Sequence, residues 1–505
     1  MQGLLERHFD VDERFALPPL DSILNRGEVR RDTVDVTQVY YDTPDHDLQA
    51  QGVALYRRDG DGETGWRLHI PAGDRRSELH WLGSDTPPDE AVSLLTGLTA
   101  GKPMVDVAKI HTMRERYRIS SAKKRGPCLE VDDDHVRASV GERLLAWREI
   151  AVDTAAGNGS SAKRLSRRLR AAGAQPARYP SKLARVSPPA PNEVAANAAS
   201  AALVVYLNAQ IDRIVAGDIG LRRGQGPIHD TRVAIRRLRS TLRIFGKLLD
   251  QSEIRDMDGE LRWFAGLLGE VRDCEVQQAR FIEALDGIAD NLILGPVQAR
   301  IRQDLQAVAL PARSRVAEAT ESPRYLAVMA VLRRWRAEPP VLKDITTRTL
   351  LKRARRAQRK ADRRLAAALR SGEAQGGMLH RARKAAKRAR YAAELCEPVG
   401  KPKRVKRTIK RYKHIQSLLG DHQDTVIATE ALRKMAIAAG TTVGENGFTY
   451  GLLYAREQQI ARHWRQKAKD HRKPEIKPDC RDGPLRGRAI PAVAALNRWA
   501  CHPSF

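Results

Sequence analysis

His229-Asp-Thr-Arg232-Val-Ala-Ile-Arg236-Arg237-Leu-Arg239 is one of two related stretches in this chain; the other is His380-Arg-Ala-Arg383-Lys384-Ala-Ala-Lys387-Arg388-Ala-Arg390. Forty residues after each His stands the Gly of a Leu-Leu-Gly triplet, Gly269 or Gly420. Four residues beyond each Gly is an Asp, Asp273 or Asp424, and seven before it a base, Arg262 or Lys413. Matching offsets over 44 residues, repeated 151 residues further on, mark a tandem duplication. At about 100° per residue, positions 0, 3, 7 and 10 of a helix fall within about 90° of one another. His229, Arg232, Arg236 and Arg239 therefore share one stripe, as do His380, Arg383, Lys387 and Arg390, while Val233, Leu238 and Leu242 are left for the core.

Stacked cations without interleaved acids repel by a few tenths of a kcal/mol per pair. A solvated helix face relieves that with Glu or Asp, and neither stripe does so in its first three turns. A solvated face also has no reason to recur in register. The stripes read as donor ladders for a regularly charged polyanion. Lys352, Arg355, Arg356, Arg359 and Arg363, and then Lys403, Arg407, Lys410 and His414, form further basic faces that suggest a channel or concave surface. Asp273 and Asp424 read as ionic partners holding an Arg or His of the stripe, and Gly269 and Gly420 as places of close helix–helix approach.

Outward from the repeat, apolar residues recur three and four apart from about residue 195 to 470. The period predicts separate helices over Val405–Leu419 and Thr425–Ala438. The chain before it is different. Residues 1–153 carry short alternating runs, among them Thr33–Tyr41, Ala54–Arg58, Gly65–Ile70, Arg114–Ser120, Cys128–Val131, His135–Ala138 and Trp147–Val152, cut by Gly, Pro and Asp turns. Such runs predict a closed or nearly closed antiparallel barrel, followed by a short basic helix over Lys163–Ala172. The expected fold class is α+β multidomain: a barrel over 1–186, a Pro-rich linker over 187–197, an all-α domain of two pseudo-symmetric four-helix bundles over 198–470, and a poorly ordered tail over 471–505.

Charge follows the same division. The 505 residues hold 89 Lys and Arg against 61 Asp and Glu, a net of +28. Residues 1–190 have 29 basic and 28 acidic side chains, whereas 343–415 alone have 25 and 5. A field of that size attracts polyanions and leaves the fold undetermined. No run of about 18 apolar residues offers a membrane span. The opening residues lack a signal-peptide core, and the five scattered cysteines have no zinc spacing, so a cytosolic, reduced protein is expected. Nucleic acid is one candidate partner, but no helix-turn-helix, finger or zipper signature is visible, and Tyr391 is the single stacking ring in the stripes. Arg forks and Lys point charges suit bare phosphates. A linear polyphosphate offers those without bases to stack.

The duplicated H-x-x-R-x-x-x-R-x-x-R helix with L-L-G-x-x-x-D resembles the CHAD (conserved histidine α-helical) domain over roughly 195–470. That resemblance implies binding of inorganic polyphosphate in a basic cavity, and possible residence at polyphosphate granules, through His229, Arg232, Arg236, Arg237, Arg239, Arg262, His380, Arg383, Lys384, Lys387, Arg388, Arg390 and Lys413. The front resembles the CYTH, or triphosphate-tunnel, barrel: Leu4-x-Glu6-x-His8-Phe9, Tyr40-Tyr41-Asp42-Thr43-Pro44, Trp66-Arg-Leu-His69-Ile-Pro71, Arg114-x-Arg116-x-Arg118, Glu130-x-Asp132-Asp133 and Trp147-Arg-Glu149 through Asp153 carry it. The resemblance implies triphosphate binding by Arg57, Arg58, Arg114, Arg116 and Arg118. In an active barrel, Mg²⁺ or Mn²⁺ would be held by Glu6, Glu130, Asp132 and Asp153. Three segments depart from the family pattern. Leu4 replaces an acid, His8 and His69 replace lysines, and Ala151 replaces a carboxylate of the late pair, so weakened turnover is expected and polyphosphate binding without a cofactor is the leading reading.

Overall fold

The computed structural model describes residues 7–21, 23, 27–62, 64–72, 75–121, 127–154, 159–188, 197–370 and 375–470. Glu6, most of the expected linker and the expected tail lie outside them. Residues 1–193 with 218–223 and 329–337 form one unit, and the remainder the other.

The first unit holds nine strands, β1 (Arg7–Val11), β2 (Gly27–Asp42), β3 (Ala54–Gly60), β4 (Gly65–Ala72), β5 (Arg75–Trp81), β6 (Val105–Ser121), β7 (Pro127–Val140), β8 (Arg143–Thr154) and β9 (Gln175–Pro176). They form a single sheet in the order β5-β4-β3-β2-β6-β7-β8-β1-β9, with every pair antiparallel. The sheet curls around a cavity of about 400 Å³ walled by His8 (β1), Tyr40 (β2), Tyr56 (β3), His69 (β4), Arg114 (β6) and Glu149 (β8). Short helices α1 (Asp89–Leu94) and α2 (Thr96–Thr99), then α3 (Gly159–Ala171) and α4 (Lys182–Val186), belong to this unit. Helix α3 is the short basic helix expected over Lys163–Ala172. It buries Ala162, Leu165 and Leu169 against Phe9, Ile150 and Val152.

The runs Cys128–Val131 and His135–Ala138 are one strand, β7, continuous through Asp132-Asp133-Asp134. Acidic residues normally interrupt strands. Here the register sets Arg116 opposite Asp132 and Arg114 opposite Asp134, so each carboxylate meets a cation across the ladder.

The helical unit follows the repeat. Helices α5 (Ala198–Arg222), α6 (Ile228–Phe245), α8 (Met257–Asp286) and α9 (Val297–Glu321) correspond, 151 residues later, to α11 (Thr347–Arg370), α12 (Gln375–Leu395), α13 (Pro402–Thr441) and α14 (Phe448–Asp470). The short α7 (Gln251–Ile254) and the inter-repeat α10 (Pro323–Ala337) stand outside the correspondence. The two helices expected over 405–419 and 425–438 are the single α13, as its counterpart α8 requires. One core crosses the repeat boundary, and another stays within the second copy. One cluster joins Phe281 and Leu285 of α8, Ile301 of α9, Leu432 and Ala439 of α13, and Tyr450 and Leu453 of α14. A second packs Leu365, Leu379, Ala386, Tyr412 and Leu419 between α11, α12 and α13.

Candidate anion site

On α6, Ala234, Ile235, Leu238 and Leu242 are buried, which turns the cationic stripe away from the core. Val233, expected in the core, instead forms part of a cavity wall. On α12 the small Ala382, Ala385, Ala386 and Ala389 play the same part and bring the helix close to its neighbours. Both stripes thereby face one cavity of about 640 Å³. Its lining includes nine of the thirteen expected residues: His229, Arg232, Arg236, His380, Arg383, Lys384, Lys387, Arg390 and Lys413. Arg272 and Arg280 of α8 join them, so nine Lys and Arg side chains stand against two carboxylates, Asp273 and Asp424. Arg280 is held by Glu457 at 2.6 Å and by the Thr425 hydroxyl at 3.0 Å.

The repeated glycine and aspartate act through one side chain. Arg232 approaches Asp273 at 3.8 Å, and its duplicate Arg383 approaches Asp424 at 3.7 Å. A Cβ on Gly269 would sit 3.0 Å from Nη2 of Arg232, and one on Gly420 would sit 3.2 Å from Nη2 of Arg383. The close helix–helix approach expected at these glycines is instead the approach of a guanidinium to a helix, since the atoms nearest the added Cβ are those of Arg232 or Arg383. In each copy, Gly makes the seat and Asp orients the occupant.

Four expected residues stand outside the cavity lining. Arg237 pairs with Glu394 at 3.3 Å and lies 5.4 Å from the Tyr391 ring centroid. Arg390 takes the same two partners, at 3.2 Å and 4.9 Å, so Glu394 and Tyr391 tie the two copies together at one wall. Arg239 shares Asp258 with Arg243 at 3.1 and 2.5 Å. Arg262 lies near Arg239 and Lys384. Arg388 lines a separate, smaller cavity.

The excess of cations shows in individual groups. Burial, followed by Arg236, Arg383 and Arg232, pushes Lys387 down to about 7, with Asp424 pulling the other way. Lys384 is lowered by burial and then by Arg388 and Arg262. Burial and Arg272 lower His229, favouring its neutral imidazole. Nε of Arg236 is buried with no acceptor among the described residues. A buried donor without a partner costs free energy until an acceptor arrives, and an anionic oxygen is the strongest available acceptor. The site is built to receive negative charge.

The barrel treats its ions differently. Arg116 pairs with Asp132 and Asp61 at 3.0 Å each and with Glu130 at 3.1 Å. Arg114 bonds Asp134 at 2.7 Å and Asp132 at 2.5 Å. Arg118 takes Asp32 and Glu130, Arg58 takes Asp61, and Arg57 takes Asp85. Lys182 of α4 bridges Asp134 at 2.7 Å and Glu149 at 2.9 Å. Burial pushes the Asp134 carboxyl up, but Lys182 and Arg114 outweigh it and hold it at about 2. Of the expected metal ligands, Glu130 and Asp132 are thus occupied by guanidinium groups, while Asp153 lies opposite Glu130 in the β7–β8 ladder. No group of three His, Cys, Asp or Glu among the described residues is placed to hold a metal ion. Glu6, the remaining expected ligand, lies outside the described residues, and no step through a metal follows from the ion-paired set.

Fold and sites together define a protein with a tunnel-type β domain and a duplicated helical domain. The family models agree: the CYTH domain model matches residues 7–156 and the CHAD domain model residues 205–433, and the chain belongs to the proteins that join a CYTH domain to a CHAD domain. It is 32% identical over 499 residues to "Uncharacterized protein MT2285" of Mycobacterium tuberculosis (strain CDC 1551 / Oshkosh), covering 92% of this chain and 94% of that one. Among solved structures it is similar to PptA from Streptomyces chartreusis, at 23% identity over 54% of this chain and 98% of that one, with a TM-score of 0.43. It is also similar to the CHAD domain from the plant Ricinus communis, at 25% identity over 54% and 93%, also with a TM-score of 0.43. No helix among the described residues is long and apolar enough to cross a membrane.

Proposed function

We propose that the helical unit binds inorganic polyphosphate in the cavity between the two stripes and that this binding brings the chain to polyphosphate granules. One observation carries the reading: cations duplicated in sequence converge on a single cavity, whose lining holds nine Lys and Arg side chains against two carboxylates. A polyanion with charge at every short repeat meets both ladders at once. Arg232 and Arg383, each seated on a glycine, offer oriented forks, whereas Lys384, Lys387 and Lys413 supply point charges. Binding needs no metal.

The test is titration of the full chain with long-chain polyphosphate against an Arg236→Gln/Lys387→Gln variant. Two charge-assisted contacts are worth about 3 kcal/mol together, so the variant binds about a hundredfold more weakly. Affinity within about twofold of the original would defeat the proposal. Duplex DNA supplied at equal phosphate concentration is expected to compete poorly; equal competition would favour a general phosphate-backbone binder.

A further inference from the structure

A second basic cavity, of about 370 Å³, lies where α6, α11 and α12 meet, and Arg243, Arg353, Arg356, Lys360 and Arg388 line it. None of the described residues that line it is acidic. Asp258 holds Arg243 from outside the lining. Arg353, Arg356, Lys360 and Arg388 have no ion-pair partner among the described residues. The group is crowded: Lys360 is lowered by Arg364 and then by burial and Arg388, and Arg388 is lowered by burial and then by Arg243 and Arg364. Its lining is otherwise the short apolar set Ile244, Ala357 and Ala385.

This cavity breaks the internal symmetry. Moved back by 151 residues, Arg353, Arg356 and Lys360 become Ala202, Val205 and Ala209, and Arg243 moved forward becomes Glu394. The first copy therefore builds no counterpart. The cations of α11 recur at i, i+3 and i+7, so they share a face and repel one another by a few tenths of a kcal/mol per pair. An anion seated among them offsets that cost.

We propose that this asymmetric cavity is a separate site for a compact phosphorylated anion carrying two or more phosphoryl groups. Five cations on three helices surround a volume suited to a small, multiply charged ligand. The absence of aromatic rings from its walls argues against a base or sugar being gripped beside the phosphates. The inference stands whether or not the central cavity takes polyphosphate, because the two cavities are lined by different side chains, with Lys384 and Arg388 one turn apart on α12 dividing them.

The experiment is calorimetric titration of the full chain with tripolyphosphate, using two variants. Arg356→Glu/Lys360→Glu changes two exposed residues of α11 to a good helix former, so folding is preserved. The central variant Arg236→Gln/Lys387→Gln serves as the second arm. The original chain is expected to show a tripolyphosphate site that the α11 variant loses by at least tenfold and that the central variant retains. Long-chain polyphosphate affinity should fall less than threefold in the α11 variant. Unchanged tripolyphosphate binding in the α11 variant would overturn the proposal. So would parallel losses of tripolyphosphate and long-chain binding in both variants, since the cavity would then be a continuation of the central path. Failure of the polyphosphate reading appears elsewhere, as long-chain affinity indifferent to the central variant.

Discussion

The barrel and the helical unit use the same guanidinium groups to opposite ends. In the barrel, Arg114 and Arg116 meet Asp132 and Asp134 across a strand ladder, and charge is closed within the fold. In the helical unit, Arg236 finds no acceptor at Nε, and burial followed by like-charged neighbours lowers Lys387 to about 7. An arginine paired at home is part of the scaffold, and one left unpaired awaits a ligand. Counting arginines in a motif does not separate the two cases; counting the carboxylates within reach does.

The largest expected effect comes from breaking the closed side of this comparison. Asp134→Ala removes a fully buried carboxylate and leaves Arg114 and Lys182 short of a partner. Breaking such a pair costs about 3–5 kcal/mol, so the barrel's calorimetric unfolding transition should fall steeply while polyphosphate affinity holds. A parallel loss of binding would erase the distinction between the two regions. Next in size is the hundredfold loss expected for Arg236→Gln/Lys387→Gln, which should come with equal or higher thermal stability because like charges are removed. Lower stability in that variant would mean that the stripe, too, is scaffold.

The repeat explains why so much of the helical site was legible beforehand. Offsets from His229 and His380 fixed which helices correspond, which cations share a face, and that Asp273 and Asp424 partner a stripe residue; that the partner is an arginine came from the structure. Periodicity does not report what lies across a gap, so Arg239, correctly placed on its stripe, turned out to be engaged by Asp258 of α8. Arg272 and Arg280 escaped because they lie on α8 outside the motif, and the charge run on α11 gave no sign that Arg388 would complete a cavity with it. In the barrel, Asp132-Asp133-Asp134 read as a break because its compensating cations come from other strands and from α4. Those pairings also engage Glu130 and Asp132, two of the expected metal ligands, which local motifs did not reveal.

A smaller effect concerns pH. Lys387 faces Arg232 and Arg236 of α6, Arg383 of its own helix and Asp424 of α13, and in the free protein it titrates at about 7. A bound anion favours the ammonium form, so above that value binding must take up a proton. Affinity for polyphosphate should therefore fall by about tenfold between pH 6 and 8, a change of about 1.4 kcal/mol. In the free protein the sign is reversed. The unfolded lysine binds its proton up to the ordinary range, so stability rises with pH from about 7 to about 10.5. Titration calorimetry in buffers of different ionisation enthalpy measures the uptake directly, and no uptake at pH 8 would remove Lys387 from the site.

The smallest effect tests the glycine seat. Ala is the better helix former by up to about 1 kcal/mol, so Gly269→Ala should raise stability slightly. Its new Cβ would stand 3.0 Å from Nη2 of Arg232, the far end of a flexible side chain, which has to shift by a few tenths of an ångström. Arg232 then leaves its orientation beside Asp273, and polyphosphate affinity is expected to drop about threefold. The same change at Gly420, where the distance to Arg383 is 3.2 Å, should cost less. Opposite signs for stability and binding are the signature of a position kept as glycine for the ligand's sake. If both variants bind as tightly as the original, the glycines serve packing alone, and Arg232 and Arg383 belong with the scaffold arginines of the barrel.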